Sequence, residues 1–435
     1  MTDAIGVGLL GLGVVGAGVA AALTDKRDTI AQRVGRPVEL RRAVVRDPDR
    51  NRAFDGAVPI TTDPGSVLDD PRIQVVVEVM GGEHPALEYI LRAIDAGKHV
   101  VTANKEVMAK HGPEILIRAA KRGVDVAYEA SVGGGIPVIG PFKLDLLAND
   151  ITQITAIING TTNYIITRMA RDGMDFGAAL REAQEQGFAE ADPKNDVEGI
   201  DAAYKLAILA SLAFHVRVHP DHVHNEGITH LSPSDFRYAR ELGYVIKLLA
   251  IGKLRGSGIE LRVHPALVSA DAMLANVDGV FNAVQVDGDL VGRILFYGRG
   301  AGSGPTSSAV VADIIDIAQR AGTGSVGVAP RPYDTSRTAL PFNEVRTRYY
   351  LRLIAADKPG VIAAIATILS KFDISLSSVI QKEDVEPLKG DTSIRHAEIV
   401  FMTHEATEAA MQQAIEEIRG LAVIDAIGSV IRVEG

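Results

Sequence analysis

The chain has 435 residues, 47% of them hydrophobic, with a formal net charge of −10 and no cysteine. That length suggests about three domains with ample apolar material for their cores, and the acidic balance argues against a nucleic-acid or anionic-membrane surface, leaving small molecules as the expected partners. Without cysteine there are no disulfides, thiolate metal sites or thiol nucleophiles, so any redox chemistry must use an organic cofactor with oxygen and nitrogen groups as acids and bases.

Ile5 to Leu10 is an apolar run leading into Gly11-Leu12-Gly13-Val14-Val15-Gly16 and the small-residue helix pattern Ala17 to Leu23. Strand, turn and helix in that order predict a dinucleotide site. Gly11 makes the tight turn, Gly13 lets backbone approach a pyrophosphate, Gly16 permits close helix-strand packing, and the helix start at Val14 and Val15 receives the phosphates. Asp25 to Pro37 reads as a helix end and loop, and a second strand, Glu39 to Val45, ends in Arg46-Asp47, where such folds read the adenosine ribose. An acid there favours a free 2′-hydroxyl and an arginine accommodates a 2′-phosphate. The reading leans to NADP over NAD through Arg46, with a merely solvated strand-end arginine as the alternative.

Val75 to Val79 and Lys98 to Thr102 are further strands, joined by a helix over Leu87 to Ala96. Ligands of doubly wound sheets lie beyond the carboxyl ends of the strands, which makes Gly81, Thr102 and Lys105 cofactor-side candidates. Lys105 is then a second functional cation, unless it is only a solvated lysine. Val124 to Tyr128 runs into Glu129-Ala130-Ser131-Val132-Gly133-Gly134-Gly135-Ile136-Pro137. There Glu129 and backbone carbonyls can hold a hard monovalent cation, or the segment is a flexible crossover.

Ile151 to Asn159 alternates as a half-buried strand and ends in Asn159-Gly160-Thr161-Thr162-Asn163-Tyr164. A capped helix start there suits a substrate carboxylate, or simply closes the helix. Next comes Gly187-Phe188-Ala189-Glu190-Ala191-Asp192-Pro193, running through Asn195-Asp196 into Gly199-Ile200-Asp201-Ala202-Ala203-Tyr204-Lys205. Asp201 and Lys205 are four apart and share a helix face, while Glu190, Asp192 and Asp196 lie on the loop feeding that helix. A cation ringed by carboxylates suits a small zwitterionic substrate; the plain alternative is a surface pair. His215, His219, His222 and His224 do not share a helical face and read as a polar turn rather than a metal cluster.

Arg262 to Val268 and Val280 to Val286 read as strands, with Asp287-Gly288-Asp289 a hairpin turn. Gly298 to Thr306 opens a helix, Ser307 to Ala321, with no strand-turn-helix unit to accompany it. Gly322 to Arg346 lacks periodicity and reads as a linker. Beyond it, strand Tyr349 to Ala355, the turn Asp357-Lys358-Pro359-Gly360, helix Val361 to Lys371, strands Ile374 to Ile380 and Ile394 to Met402, helix Ala406 to Ile418 and strand Leu421 to Val433 follow in order. That is βαββαβ, the ferredoxin-like unit. It carries no acid-base constellation, which suits a ligand sensor or a dimerisation piece.

Gly11 to Gly16, Thr102-Ala103-Asn104-Lys105, Asn159 to Tyr164, Glu190-Ala191-Asp192-Pro193 and Asp196 through Lys205 together resemble the homoserine dehydrogenase family, and the module from Tyr349 resembles an ACT domain. The resemblance spans nearly the whole chain, and the Glu190 to Lys205 block is its most specific part. It implies an α/β protein with a Rossmann-type dinucleotide-binding domain over 1–138, completed by about 304–328. An α+β catalytic and dimerisation domain over 139–303, a linker over 329–347 and an ACT regulatory domain over 348–435 would follow. The implied reaction is reversible NAD(P)-dependent reduction of L-aspartate 4-semialdehyde to L-homoserine in threonine, methionine and isoleucine biosynthesis.

Carried over by position, Lys205 is the general acid/base and Lys105 a second catalytic or cofactor-side lysine, with Asp201 beside them. Glu190, Asp196 and Asp201 would hold the substrate ammonium, with Gly160 and Thr161 at the substrate's other end. Glu129 and the carbonyls of Val132, Gly134 and Ile136 match the family's sodium site, and Gly302 falls where the family touches the nucleotide again. A homodimer or homotetramer and L-threonine as effector are implied as well. Two positions depart from the family pattern: Phe188 replaces a common Tyr, and Asp373 stands where ACT domains commonly place Gly or Asn. The alternatives are a catalytically silent nucleotide- and amino-acid-sensing regulator, or a dehydrogenase of another amino-acid aldehyde. No apolar run reaches the roughly 20 residues that span a bilayer and no signal-peptide pattern opens the chain, so no membrane partner and a cytoplasmic location are expected.

Overall fold

The computed structural model describes residues 4–50, 54, 56, 58–323, 333–383 and 396–434. They form two compact units, one made of 1–158, 201–223 and 281–337, the other of 159–200, 224–280 and 338–435.

The first unit is built on a six-stranded parallel sheet. Its order is Ile60–Thr61, Val38–Val44, Ile5–Leu10, Val75–Glu78, His99–Thr102 and Val126–Ala127. The strand order reverses between Ile5–Leu10 and Val75–Glu78, which opens a crevice at their carboxyl ends. Both strands are buried throughout, as expected of apolar runs covered by helices on two faces. Helix Val14–Asp25 and helix Ser303–Thr323 pack in the same core, with Val19, Ala20, Val310, Ile314 and Ile317 inaccessible. Strands Ile151–Ile157, Phe281–Gly288 and Gly292–Arg299 of this unit pair antiparallel.

In the second unit the hairpin Tyr244–Arg255 and Gly258–Ser269 runs into the ferredoxin-like module. The final strand, Ile424–Glu434, pairs in parallel with Gly258–Ser269 and antiparallel with Arg346–Ala356, followed by His396–Thr403 and Leu376–Glu383. Helices Val361–Lys371 and Glu408–Arg419 cover this sheet through Ile365, Leu369, Met411 and Ile415.

Three expectations need correction. The segment read as a helix end and loop over Asp25 to Pro37 is a separate helix, Arg27–Val34, which Gly35 closes at φ 82°, a left-handed conformation that glycine adopts without a Cβ penalty. The helix expected from Ser307 begins at Ser303, and strand Gly292–Arg299 leads directly into its glycine turn, so a strand-turn-helix unit does accompany it. The last helix starts at Glu408, because Thr407 accepts the Ala410 amide as its N-cap while Ala406 and Thr407 pair with strand Arg346–Ala356. Residues 324–332, which include parts of the expected linker and of the segment completing the first domain, lie outside the described residues, as do Ile394 and Arg395 of one expected strand.

Candidate active site

The glycine turn of the first unit divides its labour as the sequence suggests. Gly11 has φ 105°, and a Cβ there would stand 2.9 Å from the Val79 carbonyl oxygen; at Gly16 it would stand 2.3 Å from the Gly11 oxygen. These two are fixed by packing. A Cβ at Gly13 would meet nothing within 4 Å, so space opens above the first turn of helix Val14–Asp25, whose amides have no side-chain cap. Exposed amide donors, a positive helix end and that space fit a dinucleotide pyrophosphate. Ser303 and Ser307 donate to the Val14 and Val15 carbonyls at 3.1 Å, which sets Gly302, with φ 119°, beside this turn. Arg46 is exposed just past strand Val38–Val44.

The loops after the fourth and fifth strands are tied by a residue that sequence reading missed. Glu78 is fully buried; its carboxylate accepts the Thr102 hydroxyl at 2.7 Å and the Met80 amide at 2.8 Å. Burial pushes its pKa up against these bonds. The signal was present, an acid closing an otherwise all-valine strand before Gly81-Gly82. The Thr102 hydroxyl thus faces the protein interior, and any contact it makes with a cofactor has to use other atoms. The Asn104 backbone amide donates to the Thr102 hydroxyl oxygen at 3.0 Å, its side-chain amide donates to the Gly82 carbonyl at 2.7 Å, and its side-chain oxygen accepts the Val107 amide to cap helix Lys105–Arg122. Lys105 therefore sits in the first turn of that helix, where the dipole disfavours a cation.

What holds it there is Asp201. The Asp201 carboxylate, 3% exposed, pairs with Lys105 through one oxygen and with Lys205 at 2.7 Å through the other, and Lys205 also donates to the Ile158 carbonyl at 2.8 Å. Burial alone would raise the Asp201 pKa, but Lys205 and Lys105 outweigh it and hold the group well below the usual carboxylate range. Both lysines retain solvent access, Lys105 at 45% and Lys205 at 13%. The arrangement is an anchored anion presenting two ammonium groups, able to stabilise and protonate an oxygen that gains negative charge. Asp201 is committed to the lysines, which does not fit the substrate-ammonium role expected of it.

In the second unit, Asn159 caps helix Gly160–Asp172 through the Thr162 amide and donates to the Asp196 carboxylate at 2.6 Å. The Thr161 hydroxyl donates to the Phe188 carbonyl at 2.6 Å, and Phe188, 41% exposed, packs its ring 4.9 Å from Tyr164. The Gln184 amide donates to the backbone carbonyl of Glu190, whose side chain is exposed. Gly160, Thr161, Asp196 and Phe188 are thus brought to one helix start.

Glu129 spends its carboxylate locally: it accepts the amides of Val138, Ile139 and Gly140 at 2.6, 2.8 and 2.7 Å. About three of its four lone-pair sites are used, so a sodium ion here would rest mainly on the carbonyls of Val132, Gly134 and Ile136. Gly134, with φ 53°, lies against Gly300, where a Cβ would stand 2.4 Å from the carbonyl oxygen. Among the described residues no group of three or more His, Asp or Glu is placed to hold a metal ion. Of the four histidines, His219 and His222 cap a short 3-10 turn, and His224 bonds Glu226 at 2.8 Å. Nor is any described helix long and apolar enough to cross a membrane.

Family models match the chain in three blocks, described as homoserine dehydrogenase, NAD binding domain, over residues 11–129, homoserine dehydrogenase over 137–315 and ACT domain over 349–423. A homoserine dehydrogenase of Pseudomonas aeruginosa is 44% identical over 99% of this chain and 98% of its own length. The chain belongs to the homoserine dehydrogenase family. A homoserine dehydrogenase structure from Thiobacillus denitrificans superimposes with a TM-score of 0.92 at 45% identity, covering 99% of this chain and 98% of that one. A hyperthermophilic archaeal homoserine dehydrogenase, solved in complex with NADPH, covers 75% of this chain and all of its own, at a TM-score of 0.62 and 26% identity. The family's members are oxidoreductases, and this chain carries their NAD-binding, catalytic and ACT portions in the same order.

Proposed function

We propose that the chain catalyses the reversible NAD(P)-dependent reduction of L-aspartate 4-semialdehyde to L-homoserine. The observation that carries this reading is Asp201 holding Lys105 and Lys205 together. A bound nicotinamide supplies the hydride. Lys205, fixed by Asp201 and the Ile158 carbonyl, stabilises the charge that builds on the aldehyde oxygen and passes it a proton; in the oxidation direction it takes that proton back. Lys105, the more exposed of the pair, adds a second positive charge on the cofactor side. Asp201 acts as a positioning residue. Glu190 and Asp196 receive the substrate ammonium, and the helix start at Gly160 and Thr161 its carboxylate.

Gly11, Gly13, Gly16, Val14, Val15, Gly81, Thr102 and Gly302 form the dinucleotide site. The exposed Arg46 at the second strand's end favours NADP over NAD. Domain limits near 138, 303 and 348, a cytoplasmic homodimer or homotetramer, service to threonine, methionine and isoleucine synthesis, and L-threonine as effector complete the proposal, with a sodium ion at the Val132, Gly134 and Ile136 carbonyls. Asp373 bears on the effector: it holds φ 56°, the left-handed backbone where Gly or Asn is usual, so the turn is kept while a charge is added.

The test is L-homoserine oxidation followed by nicotinamide absorbance with NADP+ and NAD+ in parallel, with and without L-threonine. Turnover with NADP+ favoured is expected, and Arg46→Ala should narrow the preference. Folded protein that turns over neither cofactor would sink the reading.

A further inference from the structure

The first unit contains a cavity of about 510 Å³ apart from the lysine pair. Its walls come from the same helices that carry the candidate chemistry: Met108 and Leu116 from helix Lys105–Arg122, Ile208 from helix Ile200–Ala213, and Asp313 from helix Ser303–Thr323. Phe142 and Leu147 add to the apolar lining. A volume in this range with apolar walls and a few converging polar groups is the ordinary form of a small-molecule site.

The charges along its rim are unequal in their commitments. Asp313 accepts the Glu129 amide at 2.9 Å, Asp316 pairs with Arg320 at 2.5 Å, and Arg320 also faces Asp125 at 3.6 Å. Glu129 is held by three amides, as described above. Lys143 differs. Its ammonium lies 4.1 Å from the Tyr128 ring centroid, and no carboxylate among the described residues comes within ion-pairing distance of it. Burial lowers its pKa from the ordinary lysine value, with Asp313 and Glu129 opposing from farther away. An ammonium over an aromatic face beside an apolar cavity lacks one thing, an anion.

We propose that this cavity binds a small amphipathic carboxylate, an apolar ring or branched chain with its carboxylate on Lys143. The site is separate from the semialdehyde site and does not depend on the reaction proposed above. Its occupant would press on the helices bearing Lys105 and Lys205 and on the helix whose Ser303 and Ser307 hold the dinucleotide turn.

The probe is 3-phenylpropanoate, with the uncharged 3-phenylpropan-1-ol as its control. Because the chain has no tryptophan, Leu147→Trp at a 40% exposed position of the lining gives a single fluorescent reporter. Saturable fluorescence change with the acid, weaker by about tenfold or more with the alcohol, is the expected result. Lys143→Gln should weaken the acid by a similar factor, while Lys143→Arg should keep most of the affinity. Calorimetry of acid and alcohol on the unsubstituted protein decides the matter should a variant fail to fold. No saturation by the acid, equal binding of acid and alcohol, or unchanged affinity in folded Lys143→Gln would overturn the site.

Discussion

Two buried aspartates, Asp201 in the first unit and Asp235 in the second, are chemically alike and serve different ends. Both are almost inaccessible and both have pKa values that burial would raise but that paired cations hold below the ordinary range. Asp235 accepts from Arg352 at 2.7 Å, and Arg352 continues at 2.8 Å to Glu398 and to the Ser232 hydroxyl, all within the second unit. Arg352, the cation that Asp235 holds, is itself 7% exposed, and only through Glu398 does the network reach the more exposed Arg237 at 3.0 Å; the lysines held by Asp201 emerge to solvent directly. A perturbed carboxylate is therefore poor grounds for assigning a site, since structural ion networks perturb it equally. The better criterion is whether the cation it holds can still meet a ligand.

That comparison can be broken by substitution. Lys205→Ala should cut homoserine turnover by about 10²–10⁴-fold, with the melting temperature and dinucleotide affinity little changed; retained turnover would remove Lys205 from its role. Arg352→Ala should do the reverse. It strands Asp235 as a buried charge without its cation, while Glu398 keeps Arg237 and Tyr238, so a loss of about 3–5 kcal/mol is expected in denaturant unfolding, with kcat per folded molecule nearly intact. A large fall in kcat at unchanged stability would mean the two regions are not so different.

Acid sharpens the point more gently. Asp201, Asp235 and Glu408 all have folded-state pKa values below their unfolded ones. The folded state then binds fewer protons, so their contribution is complete above the unfolded carboxylate pKa of about 4 and is lost as pH falls below it. The share of the urea midpoint that these three carboxylates carry should be unchanged down to about pH 5 and decline beneath it. In folded Asp235→Asn the decline should be shallower from a lower plateau, and an identical slope would argue against that carboxylate's share.

Much of this was legible because it is local. Helix Val361–Lys371 agrees with its periodic pattern to the residue, the Gly11 to Gly16 turn needs its glycines where they stand, and Asp201 meets Lys205 by helical spacing alone. What escaped depends on distant partners. Nothing near Lys105 in sequence announces Asp201, and Glu78 acquires its meaning only when Thr102 is laid beside it by strand pairing. Strand Tyr244–Arg255 is hard to read from the sequence because Lys247 interrupts its apolar face; in the fold that ammonium is buried and satisfied by the Val277 carbonyl and Asp278.

The parallel pairing of the last strand with Gly258–Ser269 limits how the C-terminal region can be studied. Arg432 lies opposite Ala266 in that register and reaches Glu226 and Glu408 with both ends of its guanidinium. Deleting the chain from Arg346 onward would uncover the apolar Ala266–Val268 edge and leave Glu226 and Asp235 without their arginines, inviting aggregation instead of yielding an unregulated enzyme. Swapping this region between relatives would need the edge and the acids exchanged with it, so effector response is better dissected by single changes in the intact chain.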